Sequence, residues 1–383
     1  MMMNLRGAVV GIVCLNFMGL TASHVAVAMT GPSSIQIDGG ALGDLEVSAG
    51  LDGDAYAVSN AAPGAKSTGA QLGNALIELQ KTSGILQFTI EVGSYSTQTL
   101  GYAPATASGI SPNYFPESPL YAGYITIAPN SAVSVSLGQI SPIVGYEASQ
   151  DWGNANIFFS EIAYTQPAQG RGGNIALTQG PFSATVSLTD GYYTGVMNYL
   201  QWLLTYGPDS DNSLSLYGGA NLGRTGENVG GIANPLLDNS DMYGAFYTYT
   251  TENLTMTPEV QYQTTPPIAA FSINHRVSNL ALALFADEQL GSNTPWSLGA
   301  FVEYATQFYN KADDAGASED FFGFGPGSNL YGISITPTWQ SKNLFARADM
   351  GLIHVNRGLG GSAFDDASTA NQFSGLLEAG LLF

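Results

Sequence analysis

Phe373-Ser374-Gly375-Leu376-Leu377-Glu378-Ala379-Gly380-Leu381-Leu382-Phe383, the end of the 383-residue chain, decides the fold. Read with period two, Phe373, Gly375, Leu377, Ala379, Leu381 and Phe383 share one face, and the single charge, Glu378, lies on the other. The apolar face is still running where the chain stops. Leu376 and Leu382 fall on the Glu378 side, which suits an interior that also packs loops. A strand of this kind is one stave of a β-barrel whose outer face meets lipid.

Composition agrees. Only 10% of residues are charged, against about 25% in an ordinary soluble domain. The chain also carries 47 Gly, 20 Tyr and 18 Phe. Beyond the N-terminal region no stretch approaches the roughly 18 apolar residues of a membrane-crossing helix, so a helical membrane protein is excluded. Residues 1–28 read as a secretory signal peptide: Arg6 is the positive start, Gly7 to Leu20 the apolar stretch, and Ala26-Val27-Ala28 the small-x-small cleavage site. The single cysteine, Cys14, lies in that stretch behind Gly11-Ile12-Val13, a poor lipoprotein signal, and its removal leaves a thiol-free chain suited to an oxidising compartment. Residues 29–44 are then a short periplasmic or lumenal segment. With no linker or composition break after about residue 44, 45–383 forms a single barrel.

Period-two alternation picks out sixteen segments: 45–58, 72–81, 85–94, 119–128, 132–140, 172–178, 182–189, 198–207, 212–222, 241–250, 253–263, 278–287, 295–309, 328–338, 343–353 and 372–383. Even-numbered segments are followed by turn chemistry, as in Thr82-Ser83-Gly84, Pro129-Asn130-Ser131, Gln179-Gly180-Pro181, Thr251-Glu252 and Gln340-Ser341-Lys342. Odd-numbered ones lead into longer loops, up to 141–171. Short turns on the periplasmic side and long loops outside are the asymmetry of bacterial barrels. The segment 264–287 leaves Ile268 to Ile273 as a further strand or an inward-folded loop, so the count ranges from 14 to 18. A soluble β-sandwich would share the alternation but would place far more Lys and Glu opposite faces such as Leu86, Phe88, Ile90 and Val92. Tyr95, Tyr206, Tyr243, Tyr249, Tyr262 and Trp339 at segment ends read as interfacial girdles.

The run Val133 to Glu147, in which a Gly138-Gln139 strand end leads through Pro142 to Gly145 and Glu147, resembles the OmpL-like outer-membrane β-barrel porin family. Tyr164-Thr165-Gln166-Pro167 followed by Gly172 and Gly173 fits the same pattern, as does the Phe383 terminus, which also resembles the assembly signal of bacterial outer-membrane proteins. The resemblance implies a pore-forming protein of the bacterial outer membrane. Its expected partners are outer-membrane lipid and lipopolysaccharide, the barrel-assembly machinery acting on the C-terminal strand, and small hydrophilic solutes; general porins raise the expectation of a homotrimer. Nucleic acid has no place in this reading.

Catalytic chemistry is sparse. Beyond the leader only His275 and His354 remain, and no G-x-S-x-G elbow, H-E-x-x-H pair or Walker loop is present. An outer-membrane hydrolase assembled from separate strands is the weakest alternative; no cofactor or metal is expected. Asp209-Ser210-Asp211-Asn212 and Asp52-Gly53-Asp54 offer clustered oxygens but complete no calcium loop, so both read as solvated turns. Arg171-Gly172-Gly173 and Gly230-Gly231 open no helix that would cradle phosphate.

Charge becomes informative in the lumen. Placing the apolar face outward turns Glu46, Glu78, Glu91, Glu259, Glu303, Asp349 and Glu378 inward, with Arg347 as their basic counterpart. Such a tube favours cations. The long loop 141–171 carries Glu147, Asp151 and Glu161 beside Trp152, Phe158 and Phe159, a mixture suited to anchoring on a wall while narrowing the pore, with Glu147 or Asp151 facing Arg347 or Arg171. The expectation is a porin for passive diffusion of small hydrophilic solutes. Its runner-up is a barrel plugged by 29–44 and 141–171 that serves as an adhesin or structural protein.

Overall fold

A computed structural model describes residues 29, 31, 34–61, 65–109, 119–192, 194–223, 235–291, 294–308, 319–357, 363–364 and 368–383. The signal peptide assigned to 1–28 and the Gly230-Gly231 pair lie outside these. The wall consists of β1 (Asp44–Val58), β2 (Thr68–Lys81), β3 (Leu86–Tyr95), β4 (Leu120–Asn130), β5 (Val133–Ile140), β6 (Gly170–Gln179), β7 (Phe182–Thr189) and β8 (Tyr199–Tyr206). It continues through β9 (Asn212–Asn221), β10 (Asp241–Thr250), β11 (Leu254–Thr265), β12 (Val277–Gln289), β13 (Trp296–Phe308), β14 (Asn329–Ser341), β15 (Leu344–Asn356) and β16 (Asn371–Leu382). Each strand pairs antiparallel with the next, and β1 pairs with β16 over Gly50–Val58, closing a sixteen-stranded barrel.

Closure follows from the solvent. In hydrocarbon an unpaired backbone N–H or C=O has no water to bond, so a sheet crosses a membrane only when it has no edge. The last ladder bonds are those of Phe383, whose N–H donates to the Ala49 carbonyl (2.9 Å) and whose carbonyl accepts from the Ala49 N–H (2.7 Å). Below them Ile35–Asp38 pairs with Asp44–Val47 and extends the rim. Met29 is fully buried against Leu76, Trp152, Phe345 and Leu382.

Side-chain alternation divides the two faces. Leu51, Ile77, Leu86, Leu137 and Leu377 are exposed on the outside, whereas Ser48, Gln87, Thr89, Ser136 and Glu378 are buried inside. Leu376 and Leu382 are inward, each packed in an apolar cluster with loop side chains. Gly138 of the family-like motif has φ +145°, and a Cβ there would stand 2.2 Å from the Gly123 carbonyl oxygen, which confines this position to glycine.

Two sequence expectations are corrected, and one left open between a strand and an inward loop is decided for the loop. Asp52-Gly53-Asp54 is the middle of β1, with both carboxylates buried, and not a turn: the strand needed only one charged position in two to face inward. Tyr95 leaves the girdle, because its ring packs edge-on against buried Tyr121 at 4.6 Å. Ile268 and Ile273 form a single bridge, 2% and 0% exposed, within an inward loop and add no strand to the wall. Tyr206, Tyr243, Tyr249 and Tyr262 do face outward.

Leu377, 65% exposed in the middle of β16, tests the lipid face. Leu377→Arg is expected to lower unfolding free energy in lipid vesicles by about 2–4 kcal/mol. A loss below about 0.5 kcal/mol would remove this face from the hydrocarbon.

Candidate functional site: the barrel lumen

The interior of the wall is acidic. Asp52 and Asp54 on β1, Glu78 on β2, Glu259 on β11, Asp287 on β12, Glu303 on β13, Asp349 on β15 and Glu378 on β16 are buried, Glu91 on β3 is half-buried, and Arg347 on β15 is the basic member of this set. Glu46 sits at the periplasmic rim, half-buried, and accepts from the Thr82 hydroxyl at 2.7 Å. Sequence reasoning missed Asp52, Asp54 and Asp287. The first two read as a solvated turn because they complete no calcium loop, and Asp287 closes the inward alternation Ala281, Ala283, Phe285 that marks it as inward.

Residues 141–169 leave β5, cross the interior and return at β6, meeting inward side chains of distant strands. Gln150 Nε2 donates to Glu91 (3.1 Å), and Asn156 Nδ2 donates to Ser334 and Thr336 on β14 (3.1 and 2.8 Å). The Ile157 and Phe158 amides both donate to Asp349 Oδ2 (2.8 and 2.9 Å), and the Glu161 amide to Glu303 Oε2 (2.8 Å). Gln166 Nε2 reaches Gln261 on β11 (2.9 Å). Glu91, Asp349 and Glu303 are thus answered by donors on the loop, which offsets the cost of burying their charge. The wall makes room with missing side chains: a Cβ on Gly50 would lie 2.4 Å from the Trp152 ring, one on Gly299 2.2 Å from the Ala155 carbonyl oxygen, and one on Gly351 2.4 Å from Leu100 Cδ1 and 3.3 Å from the Phe158 ring.

Of the sequence pairings, Asp151 meets Arg347: Nη2 lies 3.4 Å from Oδ2, and Nη1 donates to the Asp151 carbonyl at 3.1 Å. The same guanidinium bonds Glu378 through Nε at 2.5 Å. Arg171 behaves otherwise. It belongs to β6, where register sets it opposite Gln139, and its guanidinium pairs with Asp190 at 2.8 Å, leaving neither Glu147 nor Asp151 as its partner. Glu147 is engaged within the loop, accepting from the Ser160 amide at 3.2 Å and from its hydroxyl. Ser160 in turn caps the one-turn helix Glu161–Tyr164.

Apolar side chains fill the outer half of the interior. Leu100, Ile157, Phe158, Ile162, Phe321 and Phe322 come from different loops and pack with wall residues such as Phe301 and Ile353 in one cluster. The histidines stand apart from it. His354 bonds Asn371 and Asn356 on the outside of the wall, and His275 lies 3.9 Å from Glu319 among the loops. Asp209 accepts from the amides of Asp211 and Asn212 in an exposed turn.

Burial pushes the Glu147 carboxyl up to about 7, against the opposing Ser160 bonds. It raises Glu161 as well, aided by repulsion from Glu303. A carboxyl raised from about 4.5 favours the fold while protonated; that contribution is full below about pH 4.5 and lost as pH climbs through about 7. The thermal midpoint of the folded barrel is therefore expected to fall across this window, and Glu147→Gln to flatten the fall. Equal slopes in both proteins would show that Glu147 is not the group responsible.

Known structures share the architecture. The anion-selective porin from Comamonas acidovorans is 13% identical, with a TM-score of 0.58 over 88% of this chain and 99% of that one. The outer-membrane channel DcaP of Acinetobacter baumannii is 11% identical, with a TM-score of 0.55 over 89% and 97%. The in-vitro folded trimer form of OmpT of Vibrio cholerae is 9% identical, with a TM-score of 0.56 over 88% and 99%. At these identities the likeness is one of fold. No curated protein matches the sequence. The family described as "putative beta-barrel porin-2, OmpL-like" matches residues 45–383, the whole wall with its loops, and the chain belongs to that family of bacterial outer-membrane barrels.

Proposed function

We propose that this barrel is a passive diffusion channel for small hydrophilic solutes, with a modest preference for cations and a waist set by loop 141–169. The observation that carries the reading is the pairing of an acidic wall with a carboxylate-bearing loop laid across it, with Arg347 as the basic member of the inward set. Wall charge in a low-dielectric tube raises the local concentration of the opposite ion. The similar porin from Comamonas acidovorans is described as anion-selective, so the sign is a property of each lumen and rests on this chain's own side chains. Lipid, lipopolysaccharide and the barrel-assembly machinery complete the reading as partners, the last through Phe383. A homotrimer is inferred, supported by the trimer form of a similar barrel. Residues 1–28 act as its secretion signal.

A second reading is favoured by the apolar cluster in the outer half of the interior. A barrel filled in this way would serve as an adhesin or structural protein.

Single-channel recording of the folded protein under a potassium chloride gradient decides between them. Discrete steps with a cation-side reversal potential are expected, and Glu78→Gln with Glu91→Gln, neighbours in register on β2 and β3, should lower the cation-to-anion permeability ratio about twofold or more. A folded barrel without steps would favour the filled reading. Gly299→Ala puts a Cβ 2.2 Å from the Ala155 carbonyl and must displace the loop; the step size should change, and an unchanged step would mean that the loop does not set the aperture.

A further inference from the structure

We propose that Asp52, Asp151 and Glu378 form a calcium site that pins loop 141–169 to the wall where β1, β15 and β16 meet. One carboxylate oxygen from each of the three buried residues lies within 4.8 Å of the others. A calcium ion with oxygens at about 2.3–2.6 Å is accommodated by three oxygens this close together.

The triangle alone would be an acidic cluster, but the surroundings ask for a cation. Asp54, 5% exposed, stands opposite Glu378 in the β1–β16 register, and its Oδ1 has no hydrogen-bond partner. Glu378 Oε1 is buried without one as well. Among the described residues Arg347 is the cation at this cluster, and it contacts two of the four carboxylates, Glu378 through Oε2 and Asp151 through Oδ2. Excess buried negative charge is costly unless a counter-charge sits beside it.

The local backbone is arranged for oxygen ligation. Asn74 orients the carboxylates, its amide N–H donating to Asp52 Oδ1 (2.8 Å) and its Nδ2 to Asp52 Oδ2 and Asp151 Oδ1 (both 2.9 Å). Asn74 Oδ1 remains a buried acceptor without a donor, a neutral oxygen of the kind calcium takes. Space for Asp52 comes from Gly73 and Gly380, whose added Cβ atoms would lie 1.9 Å from its Oδ1 and 2.7 Å from its Cβ. Two ligands belong to the wall and one to the loop, so occupancy would couple ion binding to loop seating.

Trp152 provides the test. It follows Asp151, its ring lies over Gly50, and it can sensitise emission from terbium, a calcium-sized oxygen-seeking ion. Terbium added alone to the detergent-folded protein should give saturable emission excited through tryptophan. Calcium should displace it, half-saturating at about 0.1–1 mM. Asp52→Asn with Asp54→Asn should abolish the emission and the calcium-dependent rise in thermal midpoint, in a barrel still shown to be folded by its heat-modifiable migration. Trp152→Phe should lose the emission and keep the rise. Glu378→Gln should weaken calcium at least tenfold, which provides an independent reading if the double variant fails to fold. No saturable emission and no calcium shift in the wild-type protein would overturn the site, and so would emission that survives Asp52→Asn with Asp54→Asn or Trp152→Phe. These readouts do not depend on conductance, so they stand whether or not the barrel proves to be a channel.

Discussion

Every other feature of this molecule depends on a backbone that leaves no hydrogen-bonding group to the lipid. The ladder runs from β1 around to β16 and returns to β1, and the final exchange of bonds between Ala49 and Phe383 comes at the last residue of the sequence. Once closure is imposed, side-chain period two acquires a fixed meaning, with one parity in hydrocarbon and the other inside. A shift by one residue in β16 would carry Glu378 into lipid and Leu377 into the interior. Register is thereby specified as strongly as in any packed core.

Closure also creates the interior problem that loop 141–169 answers. A sixteen-stranded barrel encloses more space than its own inward side chains fill. Here the space holds a polar framework, in which loop amides and carboxamides meet Glu91, Asp349, Glu303 and Gln261, and an apolar cluster drawn from several loops. The polar contacts are directional and place the loop; the apolar ones remove surface from water wherever they form. Arg347 lies where both demands meet, bonded to the wall through Glu378 and to the loop through the Asp151 and Asn154 carbonyls.

Much of the wall was legible in the sequence. Alternation located all sixteen strands, because each must satisfy the same two solvents and Gly, Pro, Asn or Ser marks many of the tight turns. Inward acids such as Glu259 and Glu303 were legible for the same reason. What alternation could not supply was the partner of any inward group, since contacts such as Gln150 with Glu91 join residues 59 apart through the fold alone. Asp52 and Asp54 were misread because Gly53 between them imitates turn chemistry, although an outward glycine costs little in a wall held by its neighbours. Tyr95 was misread because an aromatic at a strand end belongs equally to a girdle or to an interior cluster, and parity decides which. Arg171 reads as part of the loop because the ladder that opens β6, Gly170 opposite Ile140 and Arg171 opposite Gln139, leaves no local mark.

The glycines at 50, 299 and 351 record the loop's path as a negative print on the inside of the wall. An insertion that merely hung from two strands could be exchanged for another of similar length, as surface loops commonly are. Here the receiving wall is shaped to one occupant, with hollows under Trp152, Ala155 and Phe158. Loop and wall are therefore a single unit of inheritance and of design: grafting 141–169 into another barrel without its hollows would collide, and removing it here would leave matched cavities and unanswered carboxylates.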